Sequence, residues 1–244
     1  MTGSYRFPLK TITGDVMEDI VLIPEVIGVG EVAISDHRGS DISLKELQRL
    51  TLDTRVAGML SGKSGKVILH VGPSSEKIDI LFDIVKRDIL PSYQFLPTHI
   101  SRSEDLLNDG LRWIEQENGF IDFTASDKII NTIADLIYSK KYKNNICIST
   151  DGLGSLPVFN SNHELISIKS SPVDGLMNIF KKLVKEKNKD IQDALLPFTS
   201  NPGLFFEFNK NGFGTIKKGS KASFSILNKD LDIKNVFLKG KKVI

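Results

Sequence analysis

The sequence predicts an α/β fold built on a parallel sheet, and three observations carry that expectation. Strand-like and helix-like stretches alternate along most of the chain. The strand-like stretches are continuous β-branched apolar runs, the pattern of strands buried on both faces. The helix-like stretches open at capping residues and close at glycine, asparagine or proline. Such alternation gives parallel strands under helical cover, either doubly wound or closed into a barrel. About five strand–helix units are countable, against the eight of a complete barrel.

Taken in order, Val26 to Ile34 (VIGVGEVAI) is the first buried strand. Ser43-Leu-Lys-Glu46 is a capping box that opens a helix continuing to about Ala57 and stopping at Gly58. Lys66 to Val71 is the next strand, and a helix from about Glu76 to Asp88 follows, with Ser75 as N-cap and Pro91 beyond its end. Gln94 to His99 is a short strand. Glu104 to Asn118 is an amphipathic helix closed by Gly119. Then come a strand at Phe120 to Thr124, a helix near Lys128 to Ser139 and a strand at Asn145 to Thr150. Pro172 to about Lys187 is a last long helix whose lysines form a solvated face. Beyond it Gly214 to Gly219, Ala222 to Leu227 and Asn235 to Leu238 read as short antiparallel strands joined by polar turns.

Composition bounds the function classes. The chain has 244 residues, 40% hydrophobic and 25% charged, the balance of an ordinary soluble domain with material for a sizeable core. With 32 Lys and Arg against 30 Asp and Glu it has no basic stripe, so a nucleic-acid partner is not expected. No apolar stretch is long enough to span a bilayer, and the start Met-Thr-Gly-Ser-Tyr-Arg-Phe-Pro has no signal-peptide core, so no membrane partner and a cytoplasmic location are expected. The single cysteine, Cys147, lies in an apolar run and fits a buried, reduced thiol.

Two motifs mislead. Gly28-Val-Gly30-Glu-Val-Ala33 fits a loose dinucleotide pattern, but its glycines lie inside the strand and no helix follows. Ala57 to Ser64 approximates a phosphate-binding loop, but it follows a helix and precedes a strand, the reverse of the order that loop needs.

The residues that carry chemistry share one placement, the C-terminal end of a predicted strand. Glu31 lies near the end of the first strand, His70 ends the second, His99 the third, and Asp151 directly follows Ile146-Cys-Ile-Ser-Thr. In a parallel α/β barrel those ends converge on one face, where active sites lie. Two imidazoles between two carboxylates would suit zinc or a similar divalent ion. Taken singly, a histidine at a strand end is more often a hydrogen-bonded structural residue, and Asp151-Gly152 is an ordinary turn signal. Glu31 within an apolar run is the most demanding, because a buried carboxylate needs a partner or a metal. His163 reads as an exposed loop residue outside the site.

Several strings resemble the isoaspartyl dipeptidase (β-aspartyl peptidase) family of amidohydrolases. They are Thr2-Gly-Ser-Tyr5, Thr11-Ile-Thr-Gly14, Val26-Ile-Gly-Val-Gly-Glu31, Ala33-Ile-Ser-Asp-His-Arg38, Leu96-Pro-Thr-His99 with Arg102, and Ser149-Thr-Asp-Gly152 with Ser155. The tail Gly214-Thr-Ile-Lys-Lys-Gly219 resembles amidohydrolases generally. The resemblance implies a partial (β/α)8 TIM-type metallo-hydrolase barrel over residues 1–206, with strands of a small β-sandwich over 207–244. It also implies a zinc metallopeptidase that hydrolyses isoaspartyl dipeptides, in a family that forms homo-oligomers. His70 and His99 would ligate one metal, Asp151 would ligate the other and act as general acid and base, and Glu31 would bridge where some members use a carboxylated lysine. Tyr5 would stabilise the oxyanion, and Arg38, Arg102 and Ser155 would hold the substrate's carboxylates.

One departure stands against this pattern. The family carries a His-x-His pair at the end of its first barrel strand, whereas His37, His70, His99 and His163 stand far apart here. The chain is therefore expected to begin near the family's third barrel strand, to associate or fold poorly alone, and to bind at most one zinc. Two other readings compete: a non-catalytic remnant or truncated fragment of such an enzyme, and a relative acting on cyclic amides as dihydroorotases and hydantoinases do.

Overall fold

The computed structural model describes residues 1–39, 41–162 and 164–244, so His163 lies outside the described residues. The chain divides into two compact units, one of Met1–Thr124 with Asn145–Ser149 and one of Ala125–Asn144 with Thr150–Ile244.

The first unit alternates strand and helix. It comprises α1 (Val16–Leu22), β1 (Gly28–Ile34), α2 (Leu44–Ser61), β2 (Lys66–Val71), α3 (Asp79–Val85), β3 (Phe95–Thr98), α4 (Glu104–Glu117), β4 (Ile121–Thr124) and β5 (Ile146–Ser149). β1, β2 and β3 pair side by side in parallel, as do β4 and β5. The register aligns Ala33 with His70 and His70 with Thr98, so these positions share one end of the sheet. Val67, Leu69, Val71, Phe95, Ile121, Phe123 and Ile146 are buried, as their continuous apolar runs require.

The helix boundaries follow local chemistry. Ser43 and Glu46 form the expected capping box. α2 does not stop at Gly58 but runs to Ser61, because Gly62, with φ 68°, supplies the left-handed cap. α3 is shorter than expected, and Ser75 does not cap it; Ile78 holds the N-cap position with no side-chain hydrogen bond. α4 closes through the left-handed Asn118.

α1 went unread in the sequence because seven residues give too short a period, yet its ends are well specified. Asp15 accepts hydrogen bonds from the N–H groups of Met17 and Glu18. At the other end Lys63 Nζ donates to the carbonyls of Ile20 (2.5 Å) and Ile23 (2.6 Å). The false phosphate-binding loop is thus a turn whose lysine finishes a neighbouring helix. Buried Asp19 accepts from Thr2 Oγ1, Ile12 N (2.9 Å), Thr13 N (2.7 Å) and Thr13 Oγ1 (2.7 Å). Burial would raise its pKa, but these donors outweigh that and hold it at about 2. Asp19→Ala leaves those donors without their acceptor and is expected to cost about 2–4 kcal/mol in urea unfolding. A loss under 1 kcal/mol would mean the Thr11–Gly14 turn stands without it.

The second unit comprises α5 (Ile130–Tyr138), β6 (Ser155–Phe159), β7 (Leu165–Ser170), α6 (Gly175–Lys185), α7 (Ile191–Leu195), α8 (Ser200–Phe205), β8 (Phe224–Leu227), β9 (Ile233–Leu238) and β10 (Lys241–Lys242). β6 and β7 form an antiparallel hairpin, and β10, β9 and β8 form an antiparallel sheet in that order. Of the three expected tail strands, the second and third are present. Gly214 to Gly219 is not a strand: both glycines have positive φ, and Ser220 N closes a turn on Lys217 O. α6 begins at Gly175 rather than Pro172. No helix among the described residues is long and apolar enough to cross a membrane.

Candidate metal centre

Three side chains from three successive strands meet in the first unit: Glu31, His70 and His99. Glu31 lies in the middle of β1, whereas the sequence suggests a place near its end. The sequence alone places each near a strand terminus, and the fold aims each inward by a different device. The pairing of β1 with β2 slips between Val29 and Val32, a bulge that re-aims Glu31 out of simple alternation. Gly30 is needed there, since a Cβ on it would come within 2.7 Å of Ile68 Cβ. His70 is the penultimate residue of β2. His99 follows β3 directly, in a left-handed conformation (φ 65°) that starts a short 3₁₀ turn.

One candidate ligand atom from each residue lies within 4.8 Å of the others. Glu31 Oε2 is 3.2 Å from His70 Nδ1 and 3.6 Å from His99 Nε2. The imidazoles meet edge to face with centroids 4.4 Å apart. Both rings are buried, and among the described residues His99 Nε2 and His70 Nε2 have no hydrogen-bond partner. A buried polar atom left without a partner is uncommon in a native fold, and an imidazole nitrogen facing a carboxylate is a metal-ligand arrangement. The electrostatics agree. Burial would raise the Glu31 pKa, but the His70 and His99 imidazoles beside it bring it down to about 2, so the carboxylate stays ionised. Burial lowers the His70 pKa and favours its neutral, ligating form. The donor set fits a divalent cation.

Neighbouring groups fix the triad. His99 Nδ1 meets Thr124 Oγ1 at 2.6 Å. Asp122, buried one strand away, accepts from Thr98 Oγ1 (2.6 Å) and Ser149 Oγ (2.7 Å) and so ties the end of β3 to β4 and β5. Sequence reading missed Asp122 and Thr124, because a single polar residue in an apolar run carries no motif. Burial pushes the Asp122 carboxyl up to about 6, against the pull of its two hydroxyl donors. With a folded pKa above the ordinary carboxylate value, Asp122 favours folding at low pH, and that contribution is lost as pH rises through about 6. Asp122→Asn, which keeps an acceptor and cannot ionise, is therefore expected to unfold at higher denaturant than wild type at pH 8, with the two converging near pH 4. Equal midpoints at pH 8 would refute this.

The other expected site residues are placed as follows. Tyr5 and Arg38 converge on Asp36, whose side chain is fully buried. Tyr5 OH donates to Asp36 Oδ2 at 2.6 Å, and Arg38 donates through Nε to Oδ1 (3.1 Å) and Nη2 to Oδ2 (2.9 Å). Burial and the adjacent Asp36 carboxylate hold the Tyr5 phenol well above its usual range. Tyr5 also packs edge-on against His70, centroids 4.7 Å apart. Arg102 donates to Val71 O at 2.7 Å, at the end of β2. Asp151 and Ser155 belong to the second unit. Asp151 takes up a left-handed conformation (φ 49°) in a turn closed by Gly154 N on its carbonyl, and exposed Ser155 opens β6.

No family model matches the chain. Among solved structures it is similar to a β-aspartyl dipeptidase from the thermophilic, keratin-degrading Fervidobacterium islandicum AW-1. In complex with a β-Asp-Leu dipeptide, that protein shares 39% identity with this chain at a TM-score of 0.91. A second structure of the Fervidobacterium enzyme gives 38% identity and a TM-score of 0.86. Both matches cover 100% of this chain and 63% of the other, so the chain spans less than two thirds of the relative's length. An enamidase of the amidohydrolase superfamily matches over 88% of this chain and 54% of its own at 14% identity and a TM-score of 0.58, a likeness of fold alone.

Proposed function

We propose that this chain, similar along its whole length to the β-aspartyl dipeptidases, carries the metal-binding and substrate-orienting part of a zinc-dependent hydrolase of β-aspartyl dipeptides. The observation that carries the reading is the Glu31–His70–His99 triad, one anionic and two imidazole donors within 4.8 Å, in a chain 39% identical to such a dipeptidase. On this reading residues 1–206 belong to an amidohydrolase barrel of which about five units are here, and 207–244 to a sandwich domain.

Zinc held by the triad would polarise the scissile amide carbonyl and the attacking water. The chain's own residues do the rest. Tyr5 OH turns from Asp36 to donate to the carbonyl oxygen as negative charge develops on it. Arg38 and Arg102 bind the substrate's carboxylates, for which planar guanidinium forks are suited. By the family resemblance alone, Ser155 would add a hydroxyl donor and Asp151 would accept the water's proton and return it to the leaving amine. Since no His-x-His pair occurs in the sequence, one zinc per chain is expected.

The test is zinc content after loading and dialysis, paired with a hydrolysis and binding screen of β-Asp-Leu, α-Asp-Leu and the cyclic amides dihydroorotate and hydantoin. About one zinc per chain with preference for β-Asp-Leu supports the reading. Tight binding of two zinc ions would overturn the stoichiometry, and preference for a cyclic amide the substrate class. Zinc without recognition of any of these compounds would mark the chain as a non-catalytic remnant.

A further inference from the structure

Asp36 stands where three functional groups meet, and its geometry gives it a task beyond any of them. Its carboxylate receives four donors: Arg38 N (2.8 Å), Arg38 Nε (3.1 Å), Arg38 Nη2 (2.9 Å) and Tyr5 OH (2.6 Å). A fifth group, His70 Nε2, lies 3.4 Å from Asp36 Oδ2 without yet forming a hydrogen bond. On the opposite side of the same ring, Nδ1 faces Glu31 Oε2 at 3.2 Å.

A neutral imidazole has one proton and one lone pair, so the two carboxylates compete for the N–H. With the proton on Nδ1, the lone pair on Nε2 would point at a buried anion. With the proton on Nε2, the N–H points at Asp36 and the Nδ1 lone pair is delivered to the triad. Either way one lone pair faces a carboxylate. The Glu31 side chain is one third exposed, so water screens its charge, whereas the Asp36 side chain has no exposed surface, and the second arrangement is favoured. A small ring rotation then closes the 3.4 Å separation to a hydrogen bond. His99 is set the opposite way, with Nδ1 held by Thr124 and Nε2 facing Glu31.

Building on the triad reading, we infer that Asp36 is a positioning residue: it selects the His70 tautomer whose Nδ1 binds metal, and it ties that choice to the Tyr5–Arg38 pair through one shared carboxylate. Outer partners of this kind change metal affinity by about 10–100-fold when removed. The consequence is coupling: a substrate carboxylate that draws Arg38 away from Asp36 leaves Asp36 free to bond His70 more closely, so anion binding tightens the metal site.

Two measurements on the whole chain test this. The first is the long-range imidazole ¹H–¹⁵N spectrum of metal-free wild type, which needs no variant; the Nε2–H form of His70 is expected, and the Nδ1–H form would overturn the inference. The second is zinc affinity by chelator competition for wild type and Asp36→Asn, with near-ultraviolet circular dichroism confirming the fold. The variant is expected to bind about 10–100-fold more weakly, and Asp36→Glu to recover part of the loss. Affinities within twofold of each other would overturn it. If the wild type binds no zinc at all, the triad reading fails separately, and the tautomer still decides whether Asp36 orients His70. If Asp36→Asn does not fold, the wild-type spectrum decides alone.

Discussion

Glu31→Gln is expected to weaken zinc binding by at least about a hundredfold, beyond the 10–100-fold typical of losing an outer partner. The amide is nearly the same size and keeps an oxygen, so packing is little disturbed. What it removes is the negative charge between His70 and His99. A divalent cation brought from water into a site with only neutral imidazoles recovers far less of its hydration energy than one that meets a carboxylate. The same substitution has a signature without metal. The folded pKa of Glu31, about 2, lies below its ordinary value of 4.5. Its contribution to stability is therefore present above pH 4.5 and is lost as pH falls toward 2. The acid limb of the wild-type stability curve should be shallower in Glu31→Gln. Chelator competition at pH 7 and urea titrations from pH 2 to 5 read the two effects. Unchanged zinc affinity would remove Glu31 from the site, and an unchanged acid limb would mean that the imidazoles do not stabilise its charge.

The parts of this fold legible in the sequence are those where one residue type does one local job. Ser43 with Glu46 announced the start of α2, and the apolar runs at Lys66 to Val71 and Phe120 to Thr124 announced buried strands. Glu31, His70 and His99 could be named because each interrupts or ends such a run, and the parallel register then brings the strand ends together. What stayed hidden depends on partners distant in sequence. Asp36 is an unremarkable residue in a polar stretch until Tyr5, thirty-one positions earlier, and His70 close on it. Asp122 acquires meaning only when Thr98 and Ser149 arrive from neighbouring strands. Boundaries failed where backbone conformation overrode composition: Gly58 passes within α2 and Gly62 ends it, and the paired glycines of Gly214 to Gly219 make turns of what reads as a strand. The hairpin of β6 and β7 was missed because every residue of β7 is exposed and the segment lacks the apolar alternation that marks a half-buried strand.

The largest effect on stability is expected at Trp113, the largest fully buried side chain of the first unit. It lies on the buried face of α4 beside Leu106, Gly110 and Ile114, and meets Phe82 of α3 edge to face with centroids 5.3 Å apart. Trp113→Ala should cost about 3–5 kcal/mol, the sum of lost burial and the cavity left behind. Gly119 is built around the same indole. A Cβ there would sit 2.0 Å from Trp113 Nε1, so Gly119→Ala must displace the ring and should cost about 1–3 kcal/mol through overpacking. The two positions are therefore coupled. Trp113→Phe removes the Nε1 atom that the new methyl meets, so adding Gly119→Ala to Trp113→Phe should cost less than adding it to wild type. A double-mutant cycle by urea unfolding reads this as a coupling of at least about 0.5 kcal/mol in the relieving direction. Strict additivity would mean that the chain after α4 shifts to accommodate the methyl, and that Gly119 is set by its turn rather than by the indole.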